Sequence, residues 1–189
     1  KGKRMGTFAE RSASQNKIVD SLEEAVRRTG LKDGMTVSFH HHFRNGDNVV
    51  NLVVGKLAEM GFRNLTLAAS SLTSVHAPLI EHVKNGVITH IETSGLRGEL
   101  AEQISRGLMD FPVVFRSHGG RGAAIESGDL HIDVAFLGAP SCDPYGNANG
   151  YSREEDQSIS CGSLGYARPD AKYADKVVVL TNNLVKFPN

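Results

Sequence analysis

Short apolar runs alternate with segments of helical spacing along most of the sequence, and this alternation most constrains the fold. The runs predict strands at Met35–Phe39, Leu65–Ala68, Val87–Glu92, Val113–Arg116, Val134–Leu137 and Lys176–Leu180. Strands that are separated by helices pair in parallel, because each helical crossover returns the chain to the same end of the sheet. The sequence therefore predicts an α/β fold, with a mostly parallel sheet and alternating helices.

The segments between these runs place apolar residues three or four positions apart, as on one face of a helix. Val50, Val53, Val54 and Leu57 give the clearest example. The predicted helices run from Lys17 to Gly30, from an N-cap at Asp47 to Gly61, and over Pro78–Lys84, Glu99–Arg106 and Ala123–Ser127.

A long polar loop follows the apolar run Val134–Leu137. The stretch Asp133–Gly150 passes from a strand that is apolar on both faces into glycine, proline, asparagine and aspartate. Long loops that leave the end of a buried strand are where α/β proteins often carry their chemistry. The loop is therefore predicted to form part of a functional site.

Polar residues are concentrated after the strands and not before them. Histidine, arginine, serine, asparagine and glycine follow five successive strands, whereas Leu31–Gly34, Gly61–Asn64 and Asn85-Gly86 are plain turns. The carboxyl ends of parallel strands meet at one edge of a sheet, where such folds bind ligands. We expect one cation-rich site at that edge, suited to a substrate with several negative groups.

Composition limits the other classes of function. The 189 residues suit one domain, predicted at residues 17–189 after a flexible leader at 1–16. The formal net charge is +0, with 21 basic residues dispersed among 21 acidic ones, so no nucleic-acid surface is expected. Two cysteines without a disulfide or zinc spacing, and no apolar run long enough for a membrane span, indicate a cytoplasmic protein with no membrane contact.

The triple histidine His40-His41-His42 follows the first strand. In extended chain His40 and His42 share one face, as two metal ligands would. No carboxylate or cysteine lies at a companion spacing, so we predict no metal site. The imidazoles are instead expected to donate hydrogen bonds to an anionic substrate, although strand-end histidines bonded to backbone would look the same.

Two glycine-rich turns carry arginine. Ser117–Gly122 includes His118 and Arg121, and Ser94–Gly98 includes Arg97. The first turn is neither a Walker A loop nor G-x-G-x-x-G, because Ile125 stands at the last glycine position. Glycines at a helix start can cradle an anion, and arginine binds carboxylate or phosphate in a bidentate manner.

The carboxylates and thiols are weaker candidates for chemistry. Glu126 is predicted late in a helix, at the wrong end of the sheet, and Asp143 lies in good turn sequence. Cys142 and Cys161 show no sign of activation and are expected to be inert.

Several of these stretches resemble the alpha subunit of citrate lyase. They are Ser38–Asp47, Gly61–Ala68, His76–His82, Thr93–Gly98 with Leu100–Glu102, Ser117–Arg121, Asp133–Gly138, Gly146–Tyr151 and Cys161–Ala167. The resemblance covers the chain from Lys17 to Leu180. It implies a coenzyme A transferase-like domain, and 17–189 would be the first of the two α/β halves of the family subunit.

The resemblance also implies an activity. The family exchanges the acetyl group on an acyl carrier protein thioester for citrate and releases acetate, as part of citrate lyase. A mixed anhydride between the substrates replaces an enzyme glutamyl thioester, which agrees with the lack of a well-placed glutamate. The implied partners are the beta subunit and the acyl carrier protein in an oligomer. No cofactor would be bound tightly, because the carrier protein, or coenzyme A, supplies the phosphopantetheine-type group.

Site roles follow from these two lines of argument. The predicted substrate-binding residues are His40, His41, His42, Arg44, Ser94, Gly95, Arg97, His118 and Arg121. Gly119, Gly120 and Gly138 are predicted oxyanion donors, and Asn147 and Asn149 are predicted to orient the acyl group.

Two other functions remain open on the sequence. A sugar-phosphate isomerase or deaminase could use the same sheet, with Asp47 or Asp143 as the base. A non-catalytic domain that binds an anionic effector would also fit the cation-rich edge.

Overall fold

The structure of the chain, a computed structural model, describes residues 17–40, 48–150 and 167–186. Its helices are α1 (Leu22–Thr29), α2 (Val49–Glu59), α3 (Leu79–Lys84), α4 (Glu99–Ser105), α5 (His118–Ser127) and α6 (Arg168–Tyr173), with a 3-10 turn at Ser74–His76. Its strands are β1 (Thr36–His40), β2 (Leu65–Ala69), β3 (Ile88–Thr93), β4 (Val114–Phe115), β5 (Val134–Gly138), β6 (Ser141–Cys142), β7 (Ala148–Asn149) and β8 (Lys176–Leu180).

Six strands form one sheet in the order β4-β3-β2-β1-β5-β8. Every pairing in this sheet is parallel, with Phe39 of β1 opposite Ala69 of β2 and Phe136 of β5. Strands β6 and β7 form a separate antiparallel pair. The predicted α/β class with a mostly parallel sheet is confirmed.

Alternate residues of the central strands point into two separate cores, as period-two side chains require. Val37 and Phe39 of β1 pack on the face covered by α1 to α4, where Phe39 stacks on Phe136 at 5.5 Å between ring centroids. On the other face, Ala68 and Ala135 pack against α5 and α6. The helices thus cover both faces of a buried parallel sheet.

Three predicted helix starts differ from the structure, and some elements were not predicted. Helix α1 begins at Leu22 and not Lys17, because the Ser21 hydroxyl caps it by accepting from the Glu24 N–H at 3.1 Å. The N-cap of α2 is Asn48, whereas Asp47 lies outside the described residues. Helix α5 begins at His118 and not Ala123, capped by Ser117. Helix α6 and the β6–β7 pair were not predicted.

The predicted leader at 1–16 lies outside the part of the chain that the structure describes. Within residues 17–40, 48–150 and 167–186, no helix has both the length and the apolar character needed to cross a membrane.

Candidate functional site at the carboxyl edge

The strands of the parallel sheet end at one edge, called here the carboxyl edge. At this edge the chain after β2 and the chain after β3 continue side by side. The Leu72 N–H donates to the Gly95 carbonyl at 2.8 Å, and the Arg97 N–H donates to the Leu72 carbonyl at 3.0 Å. Two of the predicted polar strand ends are therefore held together by backbone hydrogen bonds.

Ser94 lies in this paired segment with a hydroxyl that has no partner. Its Oγ is buried, and no described residue forms a hydrogen bond with it. The neighbouring Thr93 behaves differently, since its Oγ1 donates to the Gly95 carbonyl at 2.9 Å and accepts from the Gly95 N–H at 3.3 Å. Thr93 fixes the turn, and the Ser94 hydroxyl is a buried polar group without a hydrogen-bond partner among the described residues.

Gly95 and Gly98 are small because the chain after β2 lies close to them. A Cβ at Gly95 would lie 3.2 Å from the Ser71 Oγ. At Gly98 the backbone has φ 73°, and a Cβ would lie 2.8 Å from the Ser74 Cα. Gly98 therefore suits both a left-handed conformation and a close backbone contact just before α4.

Arg97 lies between these glycines and is exposed. Among the described residues its guanidinium has no ion-pair partner, in contrast to Arg116, whose Nε lies 2.7 Å from the Glu92 carboxylate. An unpaired guanidinium at this edge can bind a carboxylate or phosphate of a ligand.

The start of α5 lies at the same edge, after β4. The Ser117 Oγ accepts from the Gly120 N–H at 3.0 Å, so this N–H takes part in the helix cap, and the predicted oxyanion role of Gly120 stays a prediction. The Gly119 N–H has no acceptor among the residues described, and both His118 and Gly119 are exposed. The positive end of the helix and the Gly119 N–H remain available to an anion.

Arg121 has a different role from the predicted one. Its side chain is 2% exposed, and its Nη1 and Nη2 donate to the two carboxylate oxygens of Asp170 at 2.8 and 2.7 Å. Nη2 also donates to the Ser38 Oγ at 2.8 Å, and the Ser38 hydroxyl donates to Asp170 Oδ1. A buried guanidinium with these partners is not available to bind substrate directly.

The loop after β5 is organised around Asp143. Its Oδ1 accepts from the backbone N–H groups of Tyr145 and Asn147, each at 2.9 Å, and its Oδ2 accepts from the Asn147 amide at 2.8 Å. Burial alone would raise the pKa of Asp143, but hydrogen bonds from Asn147, Tyr145 and Gly146 outweigh burial and lower the pKa below 3.8. Asp143 is therefore a poor general base.

The same contacts include Asn147. Its amide nitrogen donates to Asp143 Oδ2 and so helps to shape the loop, while its predicted role in orienting an acyl group stays a prediction. Asn149 lies in β7 opposite Ser141, and Gly138 ends β5 as a buried residue. The roles predicted for Asn149 and Gly138 stay predictions.

The other predicted residues fall into three groups. His40 ends β1 and is 7% exposed, next to the carboxyl edge. His41, His42 and Arg44 lie outside the described residues, as does Cys161. Glu126 lies late in α5 and accepts from the Tyr173 hydroxyl at 2.8 Å, away from the carboxyl edge as predicted.

Cys142 is buried, and its Sγ donates to the Asp143 carbonyl at 3.2 Å. Burial, with a smaller contribution from the Asp143 charge, raises the pKa of the thiol above 9.0. The thiol is therefore unactivated, as expected.

Within the described ranges, one group of three side chains has metal-ligand character, and it lies at the opposite edge. His131 Nε2 is 3.2 Å from Asp175 Oδ2 and 3.5 Å from Asp133 Oδ1. Asp133 Oδ2 also accepts from the Thr36 N–H at 2.8 Å. These contacts connect the starts of β1, β5 and β8. This structural role explains why the three side chains lie close together, and the explanation needs no metal ion.

Sequence reasoning missed two buried polar residues, Ser38 and Asp170. Ser38 is a polar residue inside the buried strand β1. A buried hydroxyl needs a hydrogen-bond partner, so this residue was a sign in the sequence that another polar side chain is buried beside it. Asp170 lies in a short helix without amphipathic spacing, and nothing in the sequence links it to Arg121.

The fold and the carboxyl edge define an α/β domain with a candidate site for an anionic ligand. Residues 15–189 match the family model described as citrate lyase, alpha subunit. The chain belongs to the citrate lyase alpha subunit family.

Relatives support this assignment. The chain is 63% identical to the citrate lyase alpha chain of Haemophilus influenzae over 179 residues, covering 95% of this chain and 35% of that protein. It is also 63% identical to the Klebsiella pneumoniae citrate lyase alpha chain over 181 residues, covering 96% and 35%. The chain thus spans about a third of the length of these curated relatives.

Solved structures agree with the fold. A crystal structure described as the alpha subunit of citrate lyase from Streptococcus mutans, in complex with citrate, has a TM-score of 0.90 and 53% identity, covering 100% of this chain and 36% of that chain. The alpha subunit of a malonate decarboxylase from Acinetobacter baumannii has a TM-score of 0.55 at 21% identity, covering 83% and 28%. The second likeness concerns the fold alone.

Proposed function

We propose that this chain forms part of the substrate site of a transferase that exchanges acetate for citrate on an acyl carrier protein thioester. Family membership supports the proposal, as does the citrate-bound Streptococcus mutans relative. The observation that carries it is the arrangement at the carboxyl edge, where Arg97 lies three residues after Ser94 and neither the guanidinium nor the hydroxyl has a partner within the described ranges.

Each of these groups suits part of the reaction. Citrate is a polyanion near neutral pH, and Arg97 would bind one carboxylate by paired N–H···O bonds. The Ser94 hydroxyl would donate to a second oxygen of the ligand. The Gly119 N–H at the start of α5, which has no acceptor in the part of the chain that the structure describes, would stabilise negative charge on a substrate carboxylate or on a tetrahedral oxyanion.

The nucleophile in this proposal belongs to the substrate. A citrate carboxylate attacks the acetyl thioester, forms a mixed anhydride and expels the carrier thiolate. The thiolate then attacks the citryl carbonyl, which gives citryl carrier protein and releases acetate. No enzyme carboxylate is consumed, and Asp143 and Glu126 are both engaged elsewhere. The protein's contribution is orientation and charge stabilisation.

The proposal includes the wider setting of the family. The carrier protein, or coenzyme A, would bring the phosphopantetheine-type group, so the chain would need no tightly bound cofactor. The partners would be the beta subunit and the acyl carrier protein, assembled in a cytoplasmic oligomer. His40, Gly95 and His118 would line the same edge or lie beside it. The proposal keeps His41, His42 and Arg44 as substrate-binding residues, although they lie outside the described residues.

The test is citrate-dependent acetate release from acetyl carrier protein by the complete alpha subunit. Arg97→Ala should raise the KM for citrate by roughly tenfold to a hundredfold, because a charge-assisted bidentate contact is lost. Arg106→Ala is a matched control, because this arginine is also exposed but lies at the other end of α4. An equal effect of the two substitutions would contradict a citrate site at Arg97.

A further inference from the structure

We propose that the buried Arg121–Asp170 ion pair positions the first turn of α5, and with it the anion-binding groups at the start of that helix. The proposal rests on the proposed function for its kinetic readout. Arg121 would act through the helix start and would not touch substrate. This role replaces the direct contact that the sequence predicted.

The ion pair joins three elements at one point. Arg121 is the fourth residue of α5, Asp170 is the third residue of α6, and Ser38 is at the middle of β1. The guanidinium makes two hydrogen bonds to Asp170 and one to Ser38. A bidentate pair of planar groups permits only a narrow range of relative orientations, so it fixes α5 against both α6 and the sheet.

The start of α5 needs such an anchor because it is rich in glycine. Gly119, Gly120 and Gly122 all lie in the first half of the helix. Glycine loses more backbone freedom on folding than other residues and offers no side chain for packing. A Cβ at Gly119 would meet no atom within 4 Å. Among the hydrogen bonds of the described residues, those from the side chains of Ser117 and Arg121 help to hold this turn.

Packing alone would not require a charge at this position. The face of α5 that meets the sheet is otherwise apolar, with Ala124 and Ile125 in the core beside Ala68 and Ala135. Buried ion pairs can often be replaced by apolar residues of similar volume without loss of stability. The Arg121 Nε is buried and has no partner among the described residues, so the pair is not optimised for stability. An apolar pair would lack the directional hydrogen bonds that fix the orientation of α5 relative to α6.

The positioned groups are those that the proposed function uses. His118 and the Gly119 N–H precede Arg121 by three and two residues. The close approach of α6 strengthens the coupling, because a Cβ at Gly122 would lie 3.5 Å from the Pro169 ring. Loss of the ion pair would let the first turn of α5 fray while the rest of the helix stays packed.

The experiment uses the complete subunit with the double substitution Arg121→Met and Asp170→Leu, which replaces the ion pair by an apolar pair. The melting temperature should stay within about 5 °C of the unsubstituted protein, as apolar replacement allows. The KM for citrate should rise roughly tenfold or more with a smaller change in kcat, because the binding groups are misplaced. Amide hydrogen exchange at 120–122, where the N–H groups of Gly120 and Arg121 are hydrogen-bonded to Ser117, should become roughly tenfold faster, with no change in β1 and β2.

A matched control removes an ion pair that holds no element of the site. Arg27→Met with Glu23→Leu serves, because these residues pair on the surface of α1. This control should leave KM, kcat and exchange at 120–122 unchanged.

Two results would overturn the proposal. One is an Arg121→Met/Asp170→Leu protein with unchanged exchange at 120–122 and unchanged KM. The other is a large fall in melting temperature, which would show that the pair serves folding. If the unsubstituted subunit releases no acetate, the proposed function fails, while hydrogen exchange still decides whether the pair positions the helix.

Discussion

The guanidinium of Arg121 forms two hydrogen bonds with the carboxylate of Asp170, at 2.7 and 2.8 Å, and neither side chain reaches solvent. This pair connects β1 to two helices, α5 and α6. It is also where the predicted and observed roles of a site residue differ most. Arg121 was expected to bind the substrate, but it connects elements of the fold through Asp170 and Ser38.

Removing one partner of this pair should be severely destabilising. Asp170→Ala leaves a buried, unpaired guanidinium, which costs about 3–5 kcal/mol of unfolding free energy. Urea denaturation of the complete subunit measures this loss. Substitution of Arg27 by alanine, which removes an exposed pair on α1, is the control and should change stability little. A loss for Asp170→Ala no larger than the control's would mean that the pair is not buried in solution.

The Ser94 hydroxyl should contribute to binding and not to folding. Ser94→Ala removes a buried group that has no hydrogen-bond partner in the described structure, so the melting temperature should hold or rise slightly. The KM for citrate should increase, because the ligand loses a donor. Thr93→Val is the contrast, since it removes two hydrogen bonds to Gly95 and should lower stability by about 1–2 kcal/mol. Equal melting temperatures for the two variants would count against this distinction.

Gly98 should be far less tolerant of a side chain than other glycines with positive φ. Gly98→Ala combines a φ of 73° with a Cβ that would lie 2.8 Å from the Ser74 Cα. We expect a loss of about 2–4 kcal/mol, from backbone strain and overpacking together. Gly107→Ala has a φ of 93° and open space around the Cβ, so it should lose only about 1 kcal/mol. Thermal denaturation of both variants compares them, and a Gly98→Ala protein as stable as Gly107→Ala would contradict the close contact.

Asp143 should make the protein sensitive to acid. Its pKa is lowered in the folded chain, so its stabilising contribution is complete above the unfolded value of about 3.8 and is lost as pH falls through the lower folded value. Asp143→Asn should weaken the fall in melting temperature below pH 4. Asp129→Asn, at an exposed aspartate before β5, is the control. If the melting temperature of Asp143→Asn falls below pH 4 as steeply as that of the unsubstituted protein, the hydrogen bonds to Asp143 do not stabilise its charged form.

Cys142 should resist alkylation in the folded protein. Burial and the neighbouring Asp143 raise the pKa of its thiol above 9.0, so little thiolate exists at pH 8. Iodoacetamide treatment at pH 8, followed by peptide mass analysis, should leave Cys142 unmodified until urea unfolds the chain. Modification of the folded protein at the rate of a free thiol would contradict the burial of this side chain.

The sequence predicted those features that depend on local pattern. Alternation of apolar strands and helices determined the parallel sheet, and the parallel sheet brought Ser94, Arg97 and the start of α5 to one edge. Two helix starts were predicted wrongly. Each of these helices begins directly after a single serine that caps it, Ser21 before α1 and Ser117 before α5.

Features that depend on long-range contact were beyond the sequence. Arg121 and Asp170 are separated by 49 positions in the chain. The sequence therefore could not show whether Arg121 pairs with a carboxylate of the protein or binds one of the substrate. The Asp143–Asn147 contact spans only four positions, and Asx-turn chemistry could have predicted it.

Transfer of labelled citrate to the carrier protein tests the proposed exchange of acetate for citrate most directly. The complete alpha subunit is incubated with radiolabelled citrate and acetyl carrier protein, without the beta subunit. Label should appear on the carrier protein as a thioester, with one acetate released for each citryl group gained and no stable label on the alpha subunit. Absence of label on the carrier protein, or acetate release without citryl transfer, would contradict it.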